Sequence, residues 1–112
     1  MISDIPFNGP IATVRVGRIN DEFVINPTRS QMEDSDMEII VSGNDQTIVM
    51  VEGEAELITE EVFLDAMKFA HEPIKQLIEL QNQLAADLSV EKREISEEET
   101  NEELEKAVSD LV

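Results

Sequence analysis

The chain of 112 residues contains no cysteine, no tryptophan and no tyrosine, and it has one histidine, His71. Without cysteine there is no disulfide, no thiolate nucleophile and no sulfur-ligated metal centre. Aromatic residues make up only 4%, all of them phenylalanine, so Leu, Ile, Val and Met must fill any core. Those side chains pack well but offer few polar handles. Bases are scarce too: 8 Lys and Arg stand against 26 Asp and Glu, a formal net charge of −18. Nucleic-acid binding depends on cationic groups displacing counterions from phosphates, so a surface this acidic repels nucleic acid. The excess is not confined to a tail, since residues 91–112 hold nine acids and three bases while residues 1–90 hold seventeen and five. No apolar run approaches the roughly 18 residues that span a bilayer. Met1-Ile2-Ser3-Asp4 lacks the basic start and apolar stretch of a secretory leader. The expectation is a soluble, cytoplasmic protein with no membrane partner. Its length allows one domain at most.

The order along the chain is strand, strand, short helix, strand, strand, long helix. Pro6 breaks any helix near the start, and Asn8-Gly9-Pro10 makes a turn. Ile11–Val16 then alternates, with Ala12, Val14 and Val16 on one side and Ile11, Thr13 and Arg15 on the other. A second strand, Phe23–Asn26, stops at Pro27, which has no N–H to give a ladder. Between them, Asn20-Asp21-Glu22 supplies residue types that tolerate the positive φ of a tight hairpin. Thr28-Arg29-Ser30-Gln31 has the form of a capping box and opens a short helix reaching about Glu33, which Asp34-Ser35-Asp36 ends. Met37–Ser42 and Thr47–Glu52 read as an antiparallel pair around the turn Gly43-Asn44-Asp45. Val49, Met50 and Val51 are apolar on both faces, so helices or another domain are expected to cover both sides of that strand.

Thr59 suits an N-cap, and Glu60 and Glu61 suit the positive end of a helix. Apolar residues recur at Val62, Ala66, Phe69/Ala70, Leu77, Leu84 and Leu88, a stripe of about seven turns that predicts one buried face. Pro73 removes one backbone bond inside it and predicts a kink. The packed part ends at Leu88-Ser89. Residues 91–103 are charged and read as a solvated linker. A last helix, Asn101–Leu111, places Leu104, Ala107, Val108 and Leu111 on one face. The fold class is therefore α+β: an antiparallel sheet of about four strands against one long kinked helix over residues 1–90, then an acidic, partly helical tail over residues 91–112.

Few residues offer chemistry. Asp34, Asp36 and Glu38 alternate as a cation site would, but an EF-hand loop needs Gly at its sixth position and Ile39 stands there, so a solvated loop and strand edge is the alternative. His71 sits beside Glu72, which can tune an imidazole. With no second ligand or nucleophile in evident position, a hydrogen bond to a carbonyl or carboxylate is the plainer role. Arg15, Arg18 and Arg29 are three of the eight bases. They can meet a phosphate or a partner's carboxylate, or pair with the chain's own acids. Asn8-Gly9-Pro10 is no phosphate cradle, because neither a glycine-lysine motif nor a helix N-terminus follows it.

Four stretches together carry a resemblance: SDIPFNGPIATVRVG at Ser3–Gly17, FVINPT at Phe23–Thr28, IVMVEGEA at Ile48–Ala55 and FAHEPIK at Phe69–Lys75. In order and spacing over about the first ninety residues the chain resembles the polynucleotide phosphorylase family. The resemblance implies the second half of the first of two RNase PH-like core domains, plus the start of the helical domain between them. It implies a parent that shortens RNA from its 3′ end with phosphate and magnesium, releasing nucleoside diphosphates from a trimeric ring around an RNA channel. In the active copy of the core domain the family follows its Ser-Asp-Ile with clustered aspartates and a lysine that hold the magnesium ion. Here Ser3-Asp4-Ile5 is followed by Pro, Asn, Gly and aliphatic residues, and Asp4 alone cannot assemble a metal.

The implied role is thus architectural. No catalytic, cofactor-binding or metal-binding residue transfers, the chain itself holds no cofactor, and the partners are the remainder of the enzyme and neighbouring subunits, with RNA held elsewhere. The alternative is a stand-alone acidic protein-interaction module exposing apolar faces near Val49–Val51 and Phe63–Phe69. Acidic mimicry of nucleic acid is disfavoured, because the charge is diffuse.

Overall fold

In the computed structural model of the chain, residues 1–94 and 101–111 are described. The alternation at Ala12–Val16 extends into β1 (Ala12–Ile19), which turns back through Asn20 and Asp21 into β2 (Glu22–Ile25). Both turn residues have positive φ, 51° and 65°, and Ile19 faces Glu22 across the closing rung. Two successive left-handed residues give the loop a twist that matches the strands it joins. The capping box opens α1 (Arg29–Met32): the Gln31 N–H donates to the Thr28 hydroxyl, and the Thr28 N–H donates to Gln31 Oε1 at 2.9 Å.

β3 (Ser35–Gly43) begins two residues before the expected start. Ser35 and Asp36 are its first rungs rather than a break, because Ser35 pairs with Ile19 and its hydroxyl accepts the Arg18 N–H at 2.9 Å. β4 (Ile48–Ala55) likewise runs three residues past Glu52. The four strands are antiparallel in the order β2-β1-β3-β4. Gly53 lets β4 close on β3, since a Cβ there would lie 2.1 Å from the carbonyl oxygen of Glu38.

α2 (Glu60–Leu88) starts at Thr59, whose hydroxyl accepts the Val62 N–H at 3.3 Å, and ends at Ser89 with φ 47°. The helix continues through Pro73 as one element of 29 residues. It buries Ala66, Ala70, Ile74 and Ile78 against Ala12, Val14 and Val16 of β1 and Met37, Ile39 and Val41 of β3. The two alanines admit the helix close to the strands, and the two isoleucines fill the space beyond them.

One expectation is corrected here. Leu77, Leu84 and Leu88 are exposed, not buried. The buried residues recur every fourth position and stop at Ile78, so the last ten residues of α2 have no sheet beneath them. Among the described residues no helix covers β4, where Val49, Met50 and Val51 are all exposed. The last element is α3 (Glu102–Ser109), capped by Asn101, whose Oδ1 accepts the Leu104 N–H at 3.1 Å.

Candidate functional site

The two arginines of β1 are bound by the chain's own acids. The guanidinium of Arg18, only 17% exposed, donates to Asp36 at 2.5 Å and also contacts the carboxylate of Asp21. Arg15 reaches Glu38 at 3.0 Å. The hydroxyl of Ser35 fixes the Arg18 backbone: it accepts from the Arg18 N–H and lies 3.1 Å from the Arg18 carbonyl and 2.6 Å from that of Met37. The positive φ of Asp21 that makes the hairpin turn also brings its carboxylate to Arg18. Ser35 went unnoticed in the sequence, where Asp-Ser-Asp carries a turn signal and no sign of the strand that starts there.

Asp36 and Glu38, read with Asp34 as a possible cation site, thus each hold an arginine. The shallow cavity beside them, 260 Å³, is lined in part by Ser35, Asp36, Glu38, Glu54 and Glu56. Among the described residues no group of three or more acids, histidines or cysteines is arranged to hold a metal ion. The carboxylate of Asp4 is engaged by Arg93, at 2.7 Å from Nη2 and 3.1 Å from Nε. A carboxylate clasped by a guanidinium does not fit the donor set of a magnesium ion, which calls for oxygens free to face it. Lys92 adds a bond to the Met1 carbonyl at 2.6 Å, and the Arg93 N–H donates to the Asp4 carbonyl at 2.8 Å, so the start of the chain lies along the segment following α2.

His71 stands on α2 with its Nε2 3.0 Å from the carbonyl oxygen of Asn44 in the β3–β4 turn. Its neighbour Glu72 accepts from Lys75 at 2.8 Å. That hydrogen bond, with the ammonium charge, holds the Glu72 carboxyl below its ordinary value. The corresponding pair Asp65–Lys68, at 2.9 Å, holds the Lys68 ammonium above its ordinary value. Arg29 is the first residue of α1.

Beside its acidic groups the chain presents apolar surface outward. On the helix side of the sheet, Ala55, Ile58, Phe63, Leu64 and Met67 line an open groove of 450 Å³ between the end of β4 and the first turns of α2. Along the rest of α2, Leu80 is 61% exposed and Leu84 and Leu88 lie beside it. No helix of the described residues is long and apolar enough to cross a membrane.

A four-stranded antiparallel sheet backed by one long helix, with Arg15 and Arg18 tied to carboxylates of the same sheet, defines an α+β domain of the type of domain 2 of RNase PH-like proteins. The chain belongs to the 3′ exoribonuclease family, whose domain 2 profile matches residues 9–72. It is 56% identical over 94 residues to a polyribonucleotide nucleotidyltransferase of Sulfurihydrogenibium sp., an alignment covering 84% of this chain and 13% of that protein. To the enzymes of the same name from Bacillus subtilis and Geotalea uraniireducens it is 49% identical over 110 residues and 45% identical over 111. Those alignments cover 98% and 99% of this chain but 16% of each relative. The chain therefore spans less than a fifth of the length of the curated relatives it matches.

Proposed function

We propose that this chain is an architectural part of a phosphorolytic 3′-to-5′ exoribonuclease of mRNA degradation. In that reaction a phosphate oxygen attacks the terminal phosphodiester of RNA, the 3′ oxygen of the preceding nucleotide leaves, and a nucleoside diphosphate is released. The name that the relatives share, polyribonucleotide nucleotidyltransferase, supports the parent activity. The observation that carries the architectural role is the commitment of the charged groups. Asp4, Asp36 and Glu38 hold Arg93, Arg18 and Arg15, so these carboxylates are not free for a metal and these guanidinium groups are not free for a phosphate. Magnesium and RNA then belong to other parts of the parent. The partners of this part are the remainder of that enzyme and the neighbouring subunits of a trimeric ring, in the cytoplasm.

The test is incubation of the pure chain with RNA, phosphate and magnesium. No nucleoside diphosphate is expected, and its release would overturn the reading. The second reading, a stand-alone acidic interaction module, is favoured by the open groove at Phe63 and Leu64 and by the uncovered leucines of α2. Apolar surface of this extent favours association. Light scattering on the pure chain, together with an exposed-surface dye, separates the two. A dye-negative monomer argues against adhesive faces.

A further inference from the structure

We propose that the outer edge of β4 receives an added strand: an extended segment of a partner protein in which basic residues alternate with apolar ones. β4 has a partner on one side only, β3, so it is an edge of the sheet. Its eight residues contain no proline, and its one irregularity lies at the turn end, between Ser42 and Gly43 of β3. The rest of its free side is a row of backbone N–H and C=O groups at the spacing of a further strand. α2 lies over β1, β3 and β2, and residues Val49–Ala55 are exposed.

The register states what such a strand would meet. Val51 faces Val41, Gly53 faces Ile39 and Ala55 faces Met37, so these residues point to the helix side of the sheet. There the surface continues into the apolar groove formed with Ile58, Phe63 and Met67. Met50 faces Ser42, Glu52 faces Ile40 and Glu54 faces Glu38, so these point to the opposite face. Neither Glu52 nor Glu54 takes part in an ion pair among the described residues. A strand laid along β4 would place every second side chain toward these carboxylates and the others toward the groove, because side chains alternate along a strand.

Charge decides the occupant. In a chain of formal net charge −18, a second copy paired antiparallel about Gly53 of β4 would set Glu52 of each copy against Glu54 of the other. Like charges directly opposite each other across a ladder are destabilising, whereas opposite charges there are favourable. The glutamates therefore guard the edge against self-pairing while attracting a cationic strand. This inference goes beyond the reaction proposed above and does not depend on it.

The test uses the whole chain and a fluorescent nonapeptide alternating lysine and valine. Comparison peptides have the same composition with the lysines in one block, or alternate glutamate and valine. The alternating basic peptide is expected to bind with rising anisotropy and to slow amide hydrogen exchange at alternate positions of 48–55. Glu52→Lys together with Glu54→Lys should weaken it about tenfold, the combined effect of two reversed cross-strand pairs. Both positions are exposed, and circular dichroism checks that the variant keeps its fold. Met50→Arg on the same face, with the glutamates intact, is a second variant expected to weaken binding less. Three results would overturn the proposal: equal binding of the block peptide, binding without new protection in β4, or dimerisation of the chain through β4 without peptide.

Discussion

The Nε2 of His71 lies 3.0 Å from the carbonyl oxygen of Asn44, joining the middle of α2 to the turn between β3 and β4. A carbonyl oxygen only accepts, so Nε2 carries the hydrogen. The turn it grips is already organised by the Asn44 side chain, whose Oδ1 accepts the N–H groups of Gln46 at 2.8 Å and Thr47 at 2.7 Å. The one imidazole of the chain thus serves as a strut between helix and sheet. His71→Ala should lower stability by about 1 kcal/mol, the typical net worth of one such bond. A shift of the urea midpoint with an unchanged slope checks it. A chain equally stable without the imidazole would remove the strut role.

Arg18 bridges two carboxylates of different elements, Asp21 in the hairpin turn and Asp36 at the start of β3. Asp36 Oδ1 is buried and has no hydrogen-bond partner among the described residues, so the guanidinium on Oδ2 is what compensates this carboxylate. Arg18→Met should cost about 1–3 kcal/mol, the penalty for stranding a partly buried acceptor. Arg18→Lys should recover only part of it, because one ammonium cannot reproduce the two-pronged fork. Urea unfolding of the two variants side by side gives the order.

Ile74 and Leu84 are both aliphatic residues of α2, and only Leu84 belongs to its predicted apolar stripe, yet Ile74 is 0% exposed and Leu84 is 47% exposed. Ile74→Ala should cost about 2–5 kcal/mol through the lost transfer energy and the cavity left behind. Leu84→Ala should stay within about 0.5 kcal/mol. Thermal melts of the pair decide, and equal losses would mean that something buries Leu84 in solution.

Lys75 holds the Glu72 carboxyl below its ordinary value, first through their hydrogen bond and then through charge. A lowered folded value means that the pair's contribution is present above the unfolded carboxyl pKa and is lost as pH falls through the folded one. The pair is on the surface, so the effect on stability is small and is weakened by salt. In Lys75→Met the Glu72 titration, followed by carbon NMR of its carboxyl, should move upward. For Lys68 the sign reverses: its raised value makes the contribution of ionised Asp65 present below the ordinary lysine pKa and lost as pH rises through the folded one.

The two hairpins and the caps were legible because each has a local cause, whereas the pairing of β1 with β3 that sets the strand order has none. The positive φ of Asn20 and Asp21, the Thr28–Gln31 box and the Thr59 cap all depend on residues within a few positions of one another. The strand ends were not, because β3 starts at Ser35 through a rung to Ile19, sixteen residues earlier, and β4 continues past Glu52 only because Gly53 admits it to β3. The stripe on α2 misled for a related reason. Periodicity reports which face is apolar, whereas burial at Ala66, Ala70, Ile74 and Ile78 is set by how far the sheet reaches beneath the helix. Of the candidate charges, the sequence presented Arg15 and Arg18 with two options, and only the register placing them beside Glu38 and Asp36 selects one.

The bond between Asp4 and Arg93 makes entry and exit of this unit adjacent. A longer polypeptide could arrive at residue 4 and depart at residue 93 from nearly one spot, so the whole block could sit inside a host chain with little strain on the connections. Units built this way tolerate insertion and transplantation. In a family whose members run to more than five times this length, such a self-closing module could be exchanged without redrawing the path of its surroundings.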